Sequence, residues 1–250
     1  MKDRPKNSSQ IESLRGQIAR LEGARLKGTG RSLESSTAVV SGCGPLDRLL
    51  PERGFRRGSL VEWLADGEGT GAGLLAMLCA REAAGDGGAV VVIDQAREFY
   101  PPAAVRLGIE PARLIVVHAV GAADNAWALD QTIRAAGVAV VIAWPEEHGN
   151  RPAGKSFRRL QLAAEQSGVL GLLIRPAVVR HEPSWADARL LIEPLALRSR
   201  NRRRLRIHLL RCRGGTGGRS VEVEIDDETH TVHPAAELAH PTACRRAAGA

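Results

Sequence analysis

The sequence predicts a doubly wound α/β domain with a mostly parallel sheet, extended by antiparallel strands at its C-terminal edge. Three observations carry this expectation. Short apolar runs alternate with helix-length segments from Leu60 to Ile174, the pattern of strands and crossover helices in a parallel sheet. Several of those runs, such as Ala89–Ile93 (AVVVI), are apolar throughout, as strands covered on both faces must be. After residue 185 the helical segments stop and three strand-like stretches follow directly on one another.

In chain order, residues 1–9 are polar and basic and read as unstructured. Ile11, Leu14, Ile18 and Leu21 then form one helical stripe. Ser9 and Glu12 stand in capping-box spacing before it. That stripe suits docking on the chain's own core or on a partner. Residues 28–37 (GTGRSLESST) form a Gly/Ser/Thr linker, so residues 1–37 make one unit and the globular body follows over 38–233. Leu60–Leu64 is a strand, followed by the glycine-rich turn at 66–73 and a helix over Leu74–Ala84. Ala89–Ile93, Leu114–Val117, Val138–Ala143 and Val169–Ile174 are further strands. Between them lie helices at Pro101–Leu107, at Ala123–Ala136 (Ala126, Leu129, Ile133 and Ala136 on one face) and at Phe157–Gln166. Arg189–Leu197, Arg203–Cys212 and Val221–Ile225 are the antiparallel strands, with GGTGG at 214–218 as a hairpin turn. The segment 234–250, rich in Ala with Pro, His and Arg, reads as a disordered tail. Trp63, Trp127 and Trp144 fall on strands or helices and read as core; Trp185 falls near a loop.

Composition narrows function. The chain has 250 residues, 44% apolar and 25% charged, which excludes wholesale disorder and fibres. No apolar run approaches the ~18 residues of a membrane span, and Met1–Ser9 has no apolar run behind it, so the expectation is a cytoplasmic protein without a secretory signal. Cys43, Cys79, Cys212 and Cys244 form no C-x-x-C pair and read as free thiols. His230 and His233 have weak metal spacing with no further ligand set around them, so no metal is expected. Four Trp, three Phe and one Tyr are few for a base-stacking platform.

The net charge of +7 is concentrated. Residues 198–213 (RSRNRRRLRIHLLRCR) hold eight Arg and no acid, and without them the chain carries −1. Such a patch attracts phosphates or an acidic partner. Arg200, Arg202, Arg203, Arg204 and Arg206 are the first candidates for DNA contact. The contacts would be sensitive to salt and indifferent to sequence. The other reading is a charged edge strand that resists edge-to-edge pairing. A second basic segment, 146–159 (EEHGNRPAGKSFRR), reads as a loop and supplies Arg151, Lys155, Arg158 and Arg159.

The strand–turn–helix at 60–84 is where a phosphate-binding loop sits, cradling phosphates with backbone N–H groups and a helix N-terminus. A working loop ends in Gly-Lys-Ser/Thr, the Lys for the outer phosphates and the hydroxyl for Mg²⁺. Here Gly71 is followed by Ala72 and Gly73, and Asp66 and Glu68 add negative charge. No Asp closes the strand at 138–143, which runs into Trp144 and Pro145; Asp94 does end the strand at 89–93. If any nucleotide is held, Gly67, Gly69, Thr70, Gly71 and Asp94 are left to hold it. No competent Mg²⁺–ATP site is expected, and no cofactor.

The order of segments resembles the RecA-type ATPase core. Ser41-Gly42-Cys43-Gly44-Pro45-Leu46-Asp47 resembles its T-G-x-x-x-L-D entry element. Gly54 to Glu62 (GFRRGSLVE) resembles the element before the phosphate loop, and Val92-Ile93-Asp94 its second strand. The resemblance runs over roughly residues 38–195 and implies a RecA-like sheet. It departs at every catalytic position: Ala72 and Gly73 in the loop, Ala96 near the water-activating glutamate (Glu98 two residues on), and Trp144 near the second strand-end Asp. Ala126–Gln131 (AWALDQ), Ala143-Trp144-Pro145, Arg158–Glu165 (RRLQLAAE) and Gly171–Pro176 (GLLIRP) are similar to the ImuA family of bacterial inducible-mutagenesis cassettes. That resemblance implies a non-catalytic accessory in DNA-damage tolerance and translesion synthesis. Its implied partners are DNA, an ImuB-like polymerase-related scaffold and an error-prone replicative-type polymerase, with RecA or a second copy as further candidates. Two other readings stay open: a DNA-stimulated ATPase with a divergent loop, and a protein-only interaction module regulating the damage response or cell division.

Overall fold

The computed structural model describes Gly16 and residues 38–65, 69–85, 87–145, 154–199 and 202–235. The expected N-terminal helix, the linker and the tail from residue 236 lie outside the described residues.

The described elements, in order, are β1 (Ala38–Val39), α1 (Gly44–Asp47), β2 (Phe55–Arg56), β3 (Leu60–Ala65), α2 (Ala72–Ala84), β4 (Ala89–Ile93), α3 (Pro101–Arg106), β5 (Leu114–Val117) and α4 (Gly121–Ile133). They continue with β6 (Val138–Ala143), α5 (Gly154–Ser167), β7 (Leu170–Pro176), β8 (Ala188–Ser199), β9 (Arg202–Cys212), β10 (Arg219–Asp226) and β11 (Val232–Pro234). Among the described residues nine strands form one sheet in the order β11-β10-β9-β8-β3-β7-β6-β4-β5. The six strands from β8 to β5 are parallel; β9, β10 and β11 add antiparallel. This is the α/β, RecA-like arrangement that the sequence predicts. No described helix is long and apolar enough to cross a membrane.

The apolar runs explain the centre. Every residue of β4 and β6 is buried because helices cover both faces of the sheet. One layer packs Leu75, Ala76, Leu78 and Cys79 of α2 against Trp63, Val90, Val140 and Leu172, and continues over Leu205, Ile207 and Ile225 of the antiparallel strands. The opposite layer packs Leu129 and Ile133 of α4 and Leu160, Ala163 and Ala164 of α5 against Val91, Val141 and Leu173.

Four details correct the sequence expectations. Helix α4 turns Asn125, Ala128, Leu129, Thr132 and Ile133 inward and ends at Ile133; Ala126 is exposed, and Ala136 lies beyond the helix. Helix α5 starts at Gly154, three residues before the expected Phe157, so Lys155 stands on a helix with Arg158 and Arg159 rather than in the preceding loop. Trp127 and Trp144 are about 40% exposed while Trp63 is fully buried. Pro194 to Pro234 builds more strand than expected: Val232–Pro234 pairs with β10 as the last strand, so Pro234 is part of the sheet.

Candidate functional site

The first candidate site is the turn between β3 and α2. Residues 66–68, with Gly67, lie outside the described residues. Gly71 precedes the helix with φ +82, a left-handed conformation that glycine takes at little cost. A Cβ there would meet Leu205 Cδ1 at 2.7 Å, with Ile225 Cδ1 at 3.8 Å. Side chains of β9 and β10 thus pack closely against the turn at the start of the helix. Gly69 is also at positive φ. Thr70 is buried, and its hydroxyl accepts from the Ala72 N–H at 3.4 Å, satisfying one amide that a phosphate would otherwise engage. Neither Ala72, buried beside it, nor Gly73 offers a cation or a hydroxyl.

Asp94 ends β4 and is almost fully buried. Its two oxygens accept from the backbone N–H groups of Glu98 (3.1 Å) and Phe99 (3.0 Å). Its carboxylate therefore closes the 94–99 turn, at the wall of the adjacent groove. His118 Nδ1 lies 3.7 Å from the same carboxylate and 3.2 Å from the Asp94 carbonyl oxygen. At the end of β6 the Trp144 indole stands in place of a carboxylate, and its carbonyl oxygen accepts from Asn125 Nδ2. Among the described residues, no cation or hydroxyl follows Gly71 and no carboxylate ends β6, so these residues do not fit Mg²⁺–ATP.

What occupies this position is a groove of about 580 Å³ at the C-terminal ends of β4 and β6, lined by Leu74, Met77, Phe99, Tyr100, Leu107 and Trp144 among others. It lies outside the carboxyl ends of the strands, where open α/β sheets bind ligands.

The second candidate is the arginine run. Arg200 lies outside the described residues. β9 is not an edge strand; it runs between β8 and β10. Its register sets Arg206 opposite Glu222, Arg204 opposite Glu224 and Arg202 opposite Asp226. Arg206 Nη2 reaches Glu222 at 2.7 Å, Arg204 Nη2 reaches the same carboxylate at 2.8 Å, and Arg203 Nε reaches Asp227 at 2.6 Å. Arg202 lies 3.7 Å from Glu224 and 3.9 Å from Asp226. Opposite charges facing across strands stabilise the pair. These four arginines are thus one rail of a charge ladder, and their charge is offset by carboxylates that the linear count leaves in another segment.

The third candidate is the start of α5. Arg151 lies outside the described residues, and of Lys155 only the helical backbone is described. Arg159 Nε pairs with Asp130 at 3.1 Å, which Arg134 also holds. Arg158 lies over the Trp185 ring, 4.8 Å from its centroid, and donates to Gln161 Oε1. Next to this exposed indole, the exposed Arg211 donates to the Ser184 carbonyl (2.7 Å); the exposed Arg180, on the same 177–185 segment, donates to His181 Nε2 (2.9 Å). Among the described residues no carboxylate pairs with Arg158, Arg180 or Arg211.

Sequence reasoning missed the buried Glu62 of β3. It accepts from Arg175 Nη1 (2.9 Å) on β7 and from Arg189 Nε (2.6 Å) on β8. Arg189 also donates to the carbonyls of Arg180 (3.0 Å) and Glu182 (2.8 Å). The pair of ion pairs therefore anchors the 177–185 segment that carries Trp185. The only signal in the sequence was an acid within an apolar strand.

No protein-family model matches the chain. Over 163 residues it is 30% identical to Protein ImuA of Caulobacter vibrioides strain NA1000 / CB15N, and equally to Protein ImuA of strain ATCC 19089 / CIP 103742 / CB 15. The alignment takes in 59% of this chain and 65% of each relative, so the chain spans just under two thirds of the length of the curated relatives it matches. Together with the RecA-like sheet, this similarity supports an ImuA-family relationship for the chain.

Proposed function

We propose that this protein is a non-catalytic RecA-like accessory in DNA-damage tolerance, which binds DNA and joins a translesion assembly of an ImuB-like scaffold and an error-prone polymerase. One observation carries the reading. The position of a nucleotide site is taken by an apolar groove, with Asp94 spent on backbone N–H groups. Such a site stabilises no phosphoryl-transfer charge, because catalysis of that kind rests on a cation, a metal and aimed donors. The relatives' name supports the inducible-mutagenesis setting.

For DNA, the exposed Trp185 with Arg158 and Arg211 beside it, and Arg180 on the same 177–185 segment, is better suited than Arg202, Arg203, Arg204 and Arg206. Its guanidinium groups lack carboxylate partners among the described residues, and an exposed indole offers a stacking face to any base. Arg202, Arg203, Arg204 and Arg206 must leave Glu222, Glu224, Asp226 or Asp227 to reach a phosphate. The test is titration of fluorescent single- and double-stranded oligonucleotides with the wild type and Trp185→Ala. Salt-sensitive binding weakened by the substitution supports the assignment. No binding at physiological salt moves the reading to a protein-only module.

A further inference from the structure

We propose that the groove at the C-terminal ends of β4 and β6 docks a short segment of a partner protein that is both apolar and basic. Its apolar side chains would sit on Leu74, Met77 and Leu107, with a Lys or Arg at Glu98. The proposal rests on the reading that this position takes no nucleotide.

The groove combines two kinds of lining. Met77, Ala104 and Leu107 are buried members of its wall, and Leu74 and Phe99 are half-buried. Tyr100 is 68% and Trp144 39% exposed. Aromatic residues and Met are the types enriched where protein segments dock. The charged lining has one sign. Asp94 and Glu98 are carboxylates, and among the described residues no Lys, Arg or His lines the groove. His118, 3.7 Å from Asp94, and Arg97, beside Glu98 in the chain, stand outside the lining.

That combination selects an occupant. Carboxylates without a neighbouring base repel phosphates and acidic segments and attract a cation. Asp94 already accepts from two backbone N–H groups, whereas the Glu98 side chain is exposed to an incoming cation. Lys and Arg lay an apolar stem along apolar surface and keep the charged head at its edge. The faces of Tyr100 and Trp144 add cation–π attraction. The volume of about 580 Å³ is that of a pocket for a ligand, which suits the anchor side chains of a segment rather than a whole domain surface.

The wall is set before anything binds. Through its bonds to the N–H groups of Glu98 and Phe99, Asp94 fixes the turn that presents both side chains and leads into Tyr100. Within this turn Arg97 holds φ +61, a left-handed conformation that side chains disfavour. Residues held this way cluster at ligand clamps, where their surroundings fix them. Pro101 and Pro102 open α3 directly after Tyr100, with φ locked by their rings. A preformed wall lowers the ordering cost of binding.

The test uses the full chain and an array of hexapeptides. Three positions of each peptide carry Leu, Ile, Met or Phe, and the other three carry Lys, Arg, Glu or Ser. The wild type should prefer peptides that are apolar and basic, and their affinities are then read by fluorescence anisotropy. Glu98→Lys reverses the charge and Ala103→Arg obstructs the groove with a cation. Both positions are exposed, so the fold should survive either change. Each should weaken these peptides roughly tenfold or more, and Glu98→Lys should shift the preference toward Glu-containing peptides. No preference for basic over acidic or Ser peptides overturns the proposal, as does binding that both variants leave unchanged. A second copy as occupant would appear as a dimer of the unliganded wild type that Glu98→Lys dissociates, and it overturns the partner assignment. Mg²⁺–ATP titrated into the same samples separates the two readings. ATP that displaces the peptide keeps the docking and overturns the inactive site. No peptide preference with no nucleotide bound overturns the docking alone.

Discussion

Asp94 accepts the backbone N–H of Phe99 at 3.0 Å and, through its other oxygen, that of Glu98 at 3.1 Å. A carboxylate just past the end of a core strand thereby closes the turn that follows it. Asp94→Ala leaves two donors of the turn without their acceptor and should cost about 1–3 kcal/mol, read as a lower denaturant midpoint. Asp94→Asn keeps one acceptor and should cost less. Neither change should alter DNA affinity, measured alongside.

Glu62 joins Arg175 and Arg189 in a buried charge cluster, with Glu182 3.4 Å from Arg175 as the second carboxylate. Removing one member strands the others in a dry interior. Glu62→Gln should therefore destabilise the fold by roughly 3–5 kcal/mol. Because Arg189 also ties down the carbonyls of Arg180 and Glu182, limited proteolysis of the variant should cut first within 177–185.

The two basic surfaces should separate by mutation. Trp185→Ala should weaken single-strand binding by about 1–3 kcal/mol, the range of one base stack. Arg158→Ala with Arg180→Ala should flatten the dependence of log K on log salt. Arg204→Ala with Arg206→Ala should remove two guanidinium partners of Glu222 and act on stability more than on affinity, as seen by comparing thermal melts with binding isotherms.

The thiols should differ in reactivity. Burial pushes Cys43 up to about 11 and raises Cys79 further, and the thiolate is the reactive form. Half-buried Cys212 is raised less, chiefly by burial and then by Asp187 and Glu52. Native alkylation near pH 8, followed by mass spectrometry, should label Cys212 well before Cys43 or Cys79.

The sheet was legible because its strands are bounded apolar runs, and periodicity reads those directly. The gaps have physical causes. Gly154 and Ser156 are weak helix formers that fit a cap or turn as well, so α5 begins earlier than its apolar face suggests. An acid at the end of a strand has the same sequence whether it holds a metal or a turn; only the Glu98 and Phe99 donors decide. Glu62 meets partners 113 and 127 residues away, beyond any local pattern. The arginine run was visible, but the register that sets Glu222, Glu224 and Asp226 against it was not. Trp144 lies just past a fully buried strand, and its exposure follows from the groove that it helps to form.

The measurement that bears most directly on the account is DNA binding by fluorescence anisotropy across a salt series, with and without Mg²⁺–ATP. The account predicts binding that weakens steeply with salt and is the same with and without nucleotide. Binding that requires ATP, or ATP turnover stimulated by DNA, would contradict it.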